Sequence, residues 1–142
     1  MTCGATASSS MVLIDSSVWI NFYNKHDTTS AFDEVISLGE AATTDLIITE
    51  VLQGFRLADV TRYRTALGDL NGCHYVPMFS KELAIQSADN YRTLSSTGIT
   101  PRSTIDVLLA TLCIERGISF LTADTTDFLP IANTLNLNLM TA

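Results

Sequence analysis

The sequence predicts an α/β fold with a mostly parallel central sheet. Two observations carry that prediction. Short apolar runs of strand character alternate with longer segments of helical apolar spacing. The alternation is punctuated by Ser, Thr or Asp where helices should open and by Gly where they should stop.

Met11–Asp15 (MVLID) is an apolar run that ends in an acid and reads as a buried strand. Ser16 and Ser17 suit the N-cap of a helix carrying Val18, Trp19, Ile20 and Phe22. Thr28, Thr29 or Ser30 opens a second helix with Phe32, Val35, Ile36 and Leu38 on its apolar side, ended by Gly39. Glu40–Thr43 is a very short strand. Thr44 or Asp45 opens a helix through Leu46–Phe55, and Asp59–Leu70 forms another. Asn71-Gly72 is a turn signal, followed by a strand at Cys73–Val76 that Pro77 closes. Ser80 caps a long helix to about Leu94, and Ser95–Pro101 is a loop. Ser103 or Thr104 opens a strongly apolar helix to Glu115, with Ile105, Leu108, Leu109 and Leu112 on one face and Gly117 as its stop. Ile118–Thr122 is a strand, Thr125–Leu135 a final short helix, and Leu137–Met140 a last strand.

The 142 residues fit one domain with a core large enough to need no disulfide or structural metal. Residues 1–10 are small and polar and are expected to be a flexible N-terminal extension, with residues 11–142 a single domain. That leader lacks the basic and apolar regions of a signal peptide, and no stretch has the apolar length of a membrane span. Cys3, Cys73 and Cys113 are odd in number and form no CxxC pair, which argues against a disulfide framework or a zinc site and points to a reducing cytoplasm. His26 and His74 lie far apart in sequence. Apolar residues make up 46% and charged residues only 16%, so a partner is expected to cover some apolar surface. The net charge of −7 opposes nucleic-acid binding by bulk electrostatics; any such contact must rest on bound cations and local arginines.

Four of the most apolar windows each hold acids and no Lys or Arg. Asp15 is the only ionisable group in Met11–Phe22, and Glu50 the only one in Leu46–Phe55. Asp106 is the only acid or base in Ile105–Ile114, and Ile118–Ile131 holds Asp124 and Asp127. A half-buried carboxylate needs compensation or it protonates. Hard divalent cations are an economical source of it, because they take oxygen ligands. Asp15 and Asp124 follow strands, at the edge where parallel sheets bind ligands. Asp106 lies in the first turn of its helix, while Glu50, near mid-helix, has no geometric argument for reaching the same place. Carboxylates around Mg²⁺ or Mn²⁺ suit phosphodiester hydrolysis, which then needs no histidine or protein nucleophile. Each acid also has a plain structural role open to it. Asp15 can cap the next helix, Asp106 can answer a helix dipole, Glu50 can pair with a distant arginine, and Asp124 and Asp127 can be turn residues.

MVLIDSSVWINF, TTDLIITEVLQGF, STIDVLLATLCIERG and FLTADTTDF resemble, in order and spacing, the motifs of PIN domains, and more narrowly of VapC-type toxins of bacterial toxin–antitoxin pairs. The resemblance runs from Met11 to Met140. It implies a three-layer α/β/α sandwich and an Mg²⁺- or Mn²⁺-dependent endoribonuclease acting on structured RNA such as tRNA or rRNA. It also implies a cognate antitoxin, a homodimer, and an antitoxin groove; Trp19, Phe22, Tyr23 and Phe55 supply aromatic bulk near the site edge, most of it expected in the core and some of it in that groove. Asp15, Glu50, Asp106 and Asp124 match the family's four acids in order, and Asp127 matches an additional acid of the last motif. Ser17 and Thr122 match small hydroxyl residues that line such sites. The leader precedes the usual start, and TADTTDF carries less charge than the family's last motif. That leaves the choice between Asp124 and Asp127 as metal ligand open, with Asp124 favoured.

Among the basic residues, Arg56 and Arg102 are candidates to contact substrate phosphates, while Arg62 and Arg64 suit either phosphate binding or a solvated helix face. Two other readings compete. A non-catalytic PIN or receiver-like binding module is one, although no lysine follows Lys81, as a receiver would require. A metal-dependent phosphatase is the other, although Ser17 stands where its second acid would be.

Overall fold

A computed structural model of the protein describes residues 10–25 and 28–142. The expected extension lies outside these residues apart from Ser10, as do Cys3 and His26. Among the described residues the strands are β1 (Val12–Ile14), β2 (Ala41–Thr43), β3 (His74–Tyr75), β4 (Ser119–Thr122) and β5 (Leu139–Thr141). The helices are α1 (Ser16–Lys25), α2 (Ser30–Ser37), α3 (Asp45–Leu52), α4 (Val60–Asn71), α5 (Lys81–Ser96), α6 (Thr104–Arg116) and α7 (Thr125–Leu135).

The five strands form one parallel sheet in the order β3-β2-β1-β4-β5. The chain steps from β1 to β2 to β3 in one direction, then returns to the far side of β1 for β4 and β5. Right-handed crossovers therefore place α1–α4 on one face and α5–α7 on the other. The helices pair accordingly: α1 packs on α3 and α3 on α4, while α5 packs on α6 and α6 on α7. The result is the three-layer α/β/α sandwich. The strand order reverses between β1 and β4, and open α/β sheets bind ligands beyond the carboxyl ends of the strands at such a point.

Leu13, Ile14, Phe120 and Leu121 of the two central strands are fully buried. So are Val107, Leu109, Ala110, Thr111, Leu112 and Cys113 of α6, which lies between α5, α7 and β4 and so has almost no polar face. Three expected caps form: Thr29 accepts from Phe32 N at 3.2 Å, Ser80 from Leu83 N at 3.1 Å and Ser103 from Ile105 N at 3.0 Å. Gly117 ends α6 in the left-handed region (φ 65°), where a side chain would be strained.

Three expectations change. Ser16 and Ser17 do not cap α1; they lie inside its first turn, and their hydroxyls bond acidic side chains instead. The third helix stops at Leu52 rather than Phe55, because the chain tightens into i→i+3 bonds, Gly54 N to Val51 O and Phe55 N to Leu52 O. The strand expected at Cys73–Val76 shrinks to two exposed residues, since β3 is an edge strand with β2 on one side only. No helix among the described residues is long and apolar enough to cross a membrane.

Candidate active site

Asp15 follows β1 directly, and its backbone N–H donates to Leu121 O of β4 at 2.8 Å, so it sits at the strand reversal. Its side chain is buried, at 6% exposure. Oδ2 accepts from Ser17 Oγ and from Thr122 Oγ1, each at 2.8 Å. Those hydroxyls also accept backbone N–H groups: Ala123 N on Ser17 at 3.1 Å and Asp124 N on Thr122 at 2.9 Å. One carboxylate oxygen and two hydroxyls thus bind the β1–α1 junction to the β4–α7 junction. Burial pushes the Asp15 carboxyl above its ordinary range, the two hydroxyls draw it back, and the nearby Asp124 raises it further.

Glu50 reaches the same place. Ser16 Oγ donates to Glu50 Oε1 at 3.1 Å, joining the first residue of α1 to the last turn of α3. Burial raises the Glu50 carboxyl, the Ser16 bond lowers it and the Asp15 charge raises it. Asp106 lies in the first turn of α6, half-buried. No hydrogen bond from a described neighbour reaches its carboxylate. Burial pushes its pKa up to about 6, and the charges of Asp127, Asp15, Asp124 and Glu50 push in the same direction. Asp124 N-caps α7 by accepting from Asp127 N at 3.3 Å, and Asp127 lies in the first turn of that helix. Five carboxylates from four segments therefore converge at the carboxyl edge of β1 and β4.

No three His, Cys, Asp or Glu side chains among the described residues are arranged to hold a metal ion together. The donor chemistry nevertheless fits a hard divalent cation: carboxylates and hydroxyls, with no sulfur or imidazole. Burial, and after it the like charges around it, holds the Asp106 carboxyl up at about 6, and a bound dication would relieve the repulsive part directly.

The arginines separate. Arg102, just before α6, pairs with Asp127 at 3.4 Å and so stands at the cluster. Arg56 is exposed in the turn between α3 and α4, and no bond among the described residues ties its side chain to the acids. Arg62 is committed elsewhere, to Asp59 at 3.1 Å, to Tyr23 O at 2.8 Å and to the face of the Phe55 ring, 5.4 Å from its centroid. Arg64 is exposed. Sequence reasoning missed the part played by Ser16. Its only signal was position, immediately after the acid that ends β1.

Aromatic bulk leads away from the carboxylates along α1. Trp19 stacks near Tyr23 and meets the edge of Phe32, and Tyr23 meets Phe55 edge-on. Beside them α1, α2 and α4 bound a cleft of about 330 Å³, lined among others by Trp19, Phe22, Phe32, Ile36 and Gly68. The indole N–H of Trp19 is buried without a hydrogen-bond partner among the described residues.

A parallel α/β/α sandwich with an acidic site at its strand reversal defines a class of protein whose chemistry would be carried by side-chain oxygens. The model of the PIN domain matches residues 12–132, and the chain belongs to that family. Solved structures share the fold at low identity. VapBC2 from Rickettsia felis, bound to a promoter DNA fragment, is 16% identical with a TM-score of 0.74, over 93% of this chain and 98% of that one. DNA-bound VapBC from Salmonella typhimurium is 17% identical with a TM-score of 0.74, over 92% and 97%. VapBC-5 from Mycobacterium tuberculosis, of the VapBC family of toxin–antitoxin systems, is 17% identical with a TM-score of 0.64, over 93% and 97%. No curated protein matches the sequence at a significant level.

Proposed function

We propose that this PIN domain is a divalent-metal-dependent endoribonuclease, the toxin of a toxin–antitoxin pair acting in the cytoplasm. The observation that carries this reading is the convergence of Asp15, Glu50, Asp106 and Asp124 at the strand reversal, with Asp106 held up to about 6 by burial and its acidic neighbours. The family assignment supports nuclease chemistry as the class of reaction.

In this reading Asp15, Asp106 and Asp124 hold Mg²⁺ or Mn²⁺, with Asp127 beside them, and Glu50 completes the acidic set. When bound, such an ion lowers the pKa of a water towards neutrality and offsets charge on the phosphate. Ser17 and Thr122 fix the Asp15 carboxylate through two hydrogen bonds, so it meets a ligand in one orientation. Ser16 does the same for Glu50. The substrate in this reading is a structured RNA such as tRNA or rRNA. At a net charge of −7, metal also serves substrate binding, because an unneutralised cluster repels a polyanion.

The cognate antitoxin is placed on the Trp19 cleft. Its apolar wall accepts an apolar helix face. The low charge content fits burial of further surface between two copies in a homodimer.

The test is an RNA cleavage assay with Mg²⁺ or Mn²⁺, with and without EDTA, on wild type and Asp106→Asn. Cleavage that EDTA abolishes and that Asp106→Asn lacks supports the reading. Equal cleavage by the variant, or cleavage in EDTA, overturns it. Specific metal binding by calorimetry separates a working site from a binding module.

A further inference from the structure

All eight basic residues of the chain lie among the described residues, and they can be followed one by one. Arg62 and Arg92 pair with acids of their own helical turns, at 3.1 and 3.3 Å. Arg116 donates to Pro77 O at 3.5 Å. Lys25, Arg56, Arg64 and Lys81 are exposed, with no ion pair to the carboxylate cluster. Arg102 is the basic residue that touches it, through one bond to Asp127 Oδ2 at 3.4 Å.

The two ends of that bond differ. The Asp127 side chain is 16% exposed, whereas that of Arg102 is 79% exposed. A single long bond from so exposed a guanidinium is weakly held. The backbone beneath it is fixed: Pro101 is buried, and Ser103 caps α6, the helix that carries Asp106. Arg102 thus combines a set position at the mouth of the site with a side chain free to exchange partners. Its fork of N–H donors matches two phosphate oxygens as well as it matches a carboxylate.

We propose that Arg102 is the phosphate-binding arm of this site, resting on Asp127 in the free protein and exchanging that carboxylate for a backbone phosphate of bound RNA. This rests on the nuclease reading above and adds the residue that seats the substrate. The exchange costs little at rest, since the pair is exposed. Once a cation takes up the charge of the acids, Asp127 holds the guanidinium less strongly, and a polyanion competes better for it.

The experiment measures binding of fluorescently labelled tRNA by anisotropy across a salt series, in the presence of Mg²⁺. All proteins carry Asp106→Asn to suppress cleavage. Adding Arg102→Ala should weaken binding roughly tenfold and lower the salt slope by about one counterion. Arg102→Lys should recover part of the affinity, as a point charge without the fork. Adding Asp127→Asn instead removes a carboxylate beside the metal, so it is read by the salt slope: the slope should stay that of the starting protein, because Arg102 still reaches the phosphate. Arg102→Ala binding as tightly and with the same slope overturns the assignment. Asp127→Asn lowering the salt slope as much as Arg102→Ala overturns the exchange, since the pair then positions the arginine rather than storing it. If the starting protein binds no tRNA and wild type cleaves none, the nuclease reading itself fails. Cleavage by wild type together with an unaffected Arg102→Ala removes only the arginine.

Discussion

Ser16 Oγ donates to Glu50 Oε1 at 3.1 Å, and this one bond carries an acid from α3 into a site otherwise built on β1, β4 and the helices that follow them. Glu50 comes from the β2–α3 unit, one strand removed from the reversal. The packing of α1 on α3 brings it near, and the Ser16 hydroxyl sets its rotamer. Ser16→Ala should leave the fold intact, with a stability loss of about 1 kcal/mol or less for one partly exposed bond. It should lower RNA cleavage by roughly tenfold, chiefly through kcat, because Glu50 loses its orientation. Steady-state kinetics beside thermal unfolding check this; full activity with Glu50 untethered would show that the bond is incidental.

Thr122 should behave differently, because its hydroxyl is fully buried and shared. It donates to Asp15 Oδ2 and accepts from Asp124 N. Thr122→Val keeps the shape but leaves a buried carboxylate short of one donor and a backbone N–H without its acceptor. A loss of about 1–3 kcal/mol is expected at neutral pH. The loss should shrink in acid, where Asp15 takes up a proton and no longer needs two donors. Urea unfolding at neutral and acidic pH measures the difference; an equal loss at both would mean that the hydroxyl supports the backbone rather than the charge.

Much of this was legible in the sequence, for identifiable reasons. Asp15 and Asp106 stood out as lone charges in apolar windows, and burial with raised pKa values is the physical counterpart of that pattern. The strand–helix alternation gave the parallel sheet, and the caps at Thr29, Ser80 and Ser103 formed as composition suggests. Glu50 could not be placed from spacing, because its approach depends on how α1 crosses α3, a tertiary relation that leaves no periodic trace. Ser16 and Ser17 were misread for a related reason. A serine after a strand has the same local signature whether its hydroxyl caps a helix or bonds a carboxylate, and here the helix begins at Ser16, so both serines lie inside its first turn and their hydroxyls donate to acids. Arg102 and Asp127 were separate candidates, and only the fold brings them together from opposite sides of β4.

The acidic cluster should make the metal-free protein more stable in mild acid. The Asp106 carboxyl is raised from 3.8 to about 6 in the folded chain, and Asp15 and Glu50 are raised as well. Between about pH 4 and 6 the folded chain keeps a proton that the unfolded chain has released, so stability rises as pH falls through this window. Above about pH 6 the full cost of burying the charge beside like charges is present; below about pH 4 both states are protonated at Asp106 and its effect ends. Asp106→Asn removes the charge and should stabilise the EDTA-treated protein at pH 7 by about 1–2 kcal/mol, allowing for solvent screening of a half-buried group. The advantage should vanish near pH 4. Adding Mg²⁺ or Mn²⁺ should raise the wild-type Tm, and should raise that of Asp106→Asn by less, since the variant keeps the other carboxylates but loses one ligand. Thermal unfolding at several pH values, with and without metal, tests both statements. A variant less stable than wild type at pH 7 in EDTA would show that Asp106 is held by contacts rather than opposed by its neighbours.

The Trp19 cleft gives a test that leaves the carboxylates untouched. Gly68 lines the cleft from α4, and a Cβ built on it meets nothing within 4 Å. It lies at an exposed position in the last turn of α4, where a side chain favours folding over glycine, by up to about 1 kcal/mol for alanine. Gly68→Glu should therefore fold at least as well as wild type while placing a long, charged side chain in an apolar groove beside Asp69. RNA cleavage should persist, and co-purification with a co-expressed cognate antitoxin should be lost, leaving a toxin that its partner no longer restrains. Gly68→Ala serves as the control and should keep the partner. The chain has a single tryptophan, so the emission of Trp19 reports directly on whether the cleft fills. A shift on partner binding in Gly68→Ala, absent in Gly68→Glu, assigns the antitoxin to this cleft; retention of the partner by Gly68→Glu moves it elsewhere.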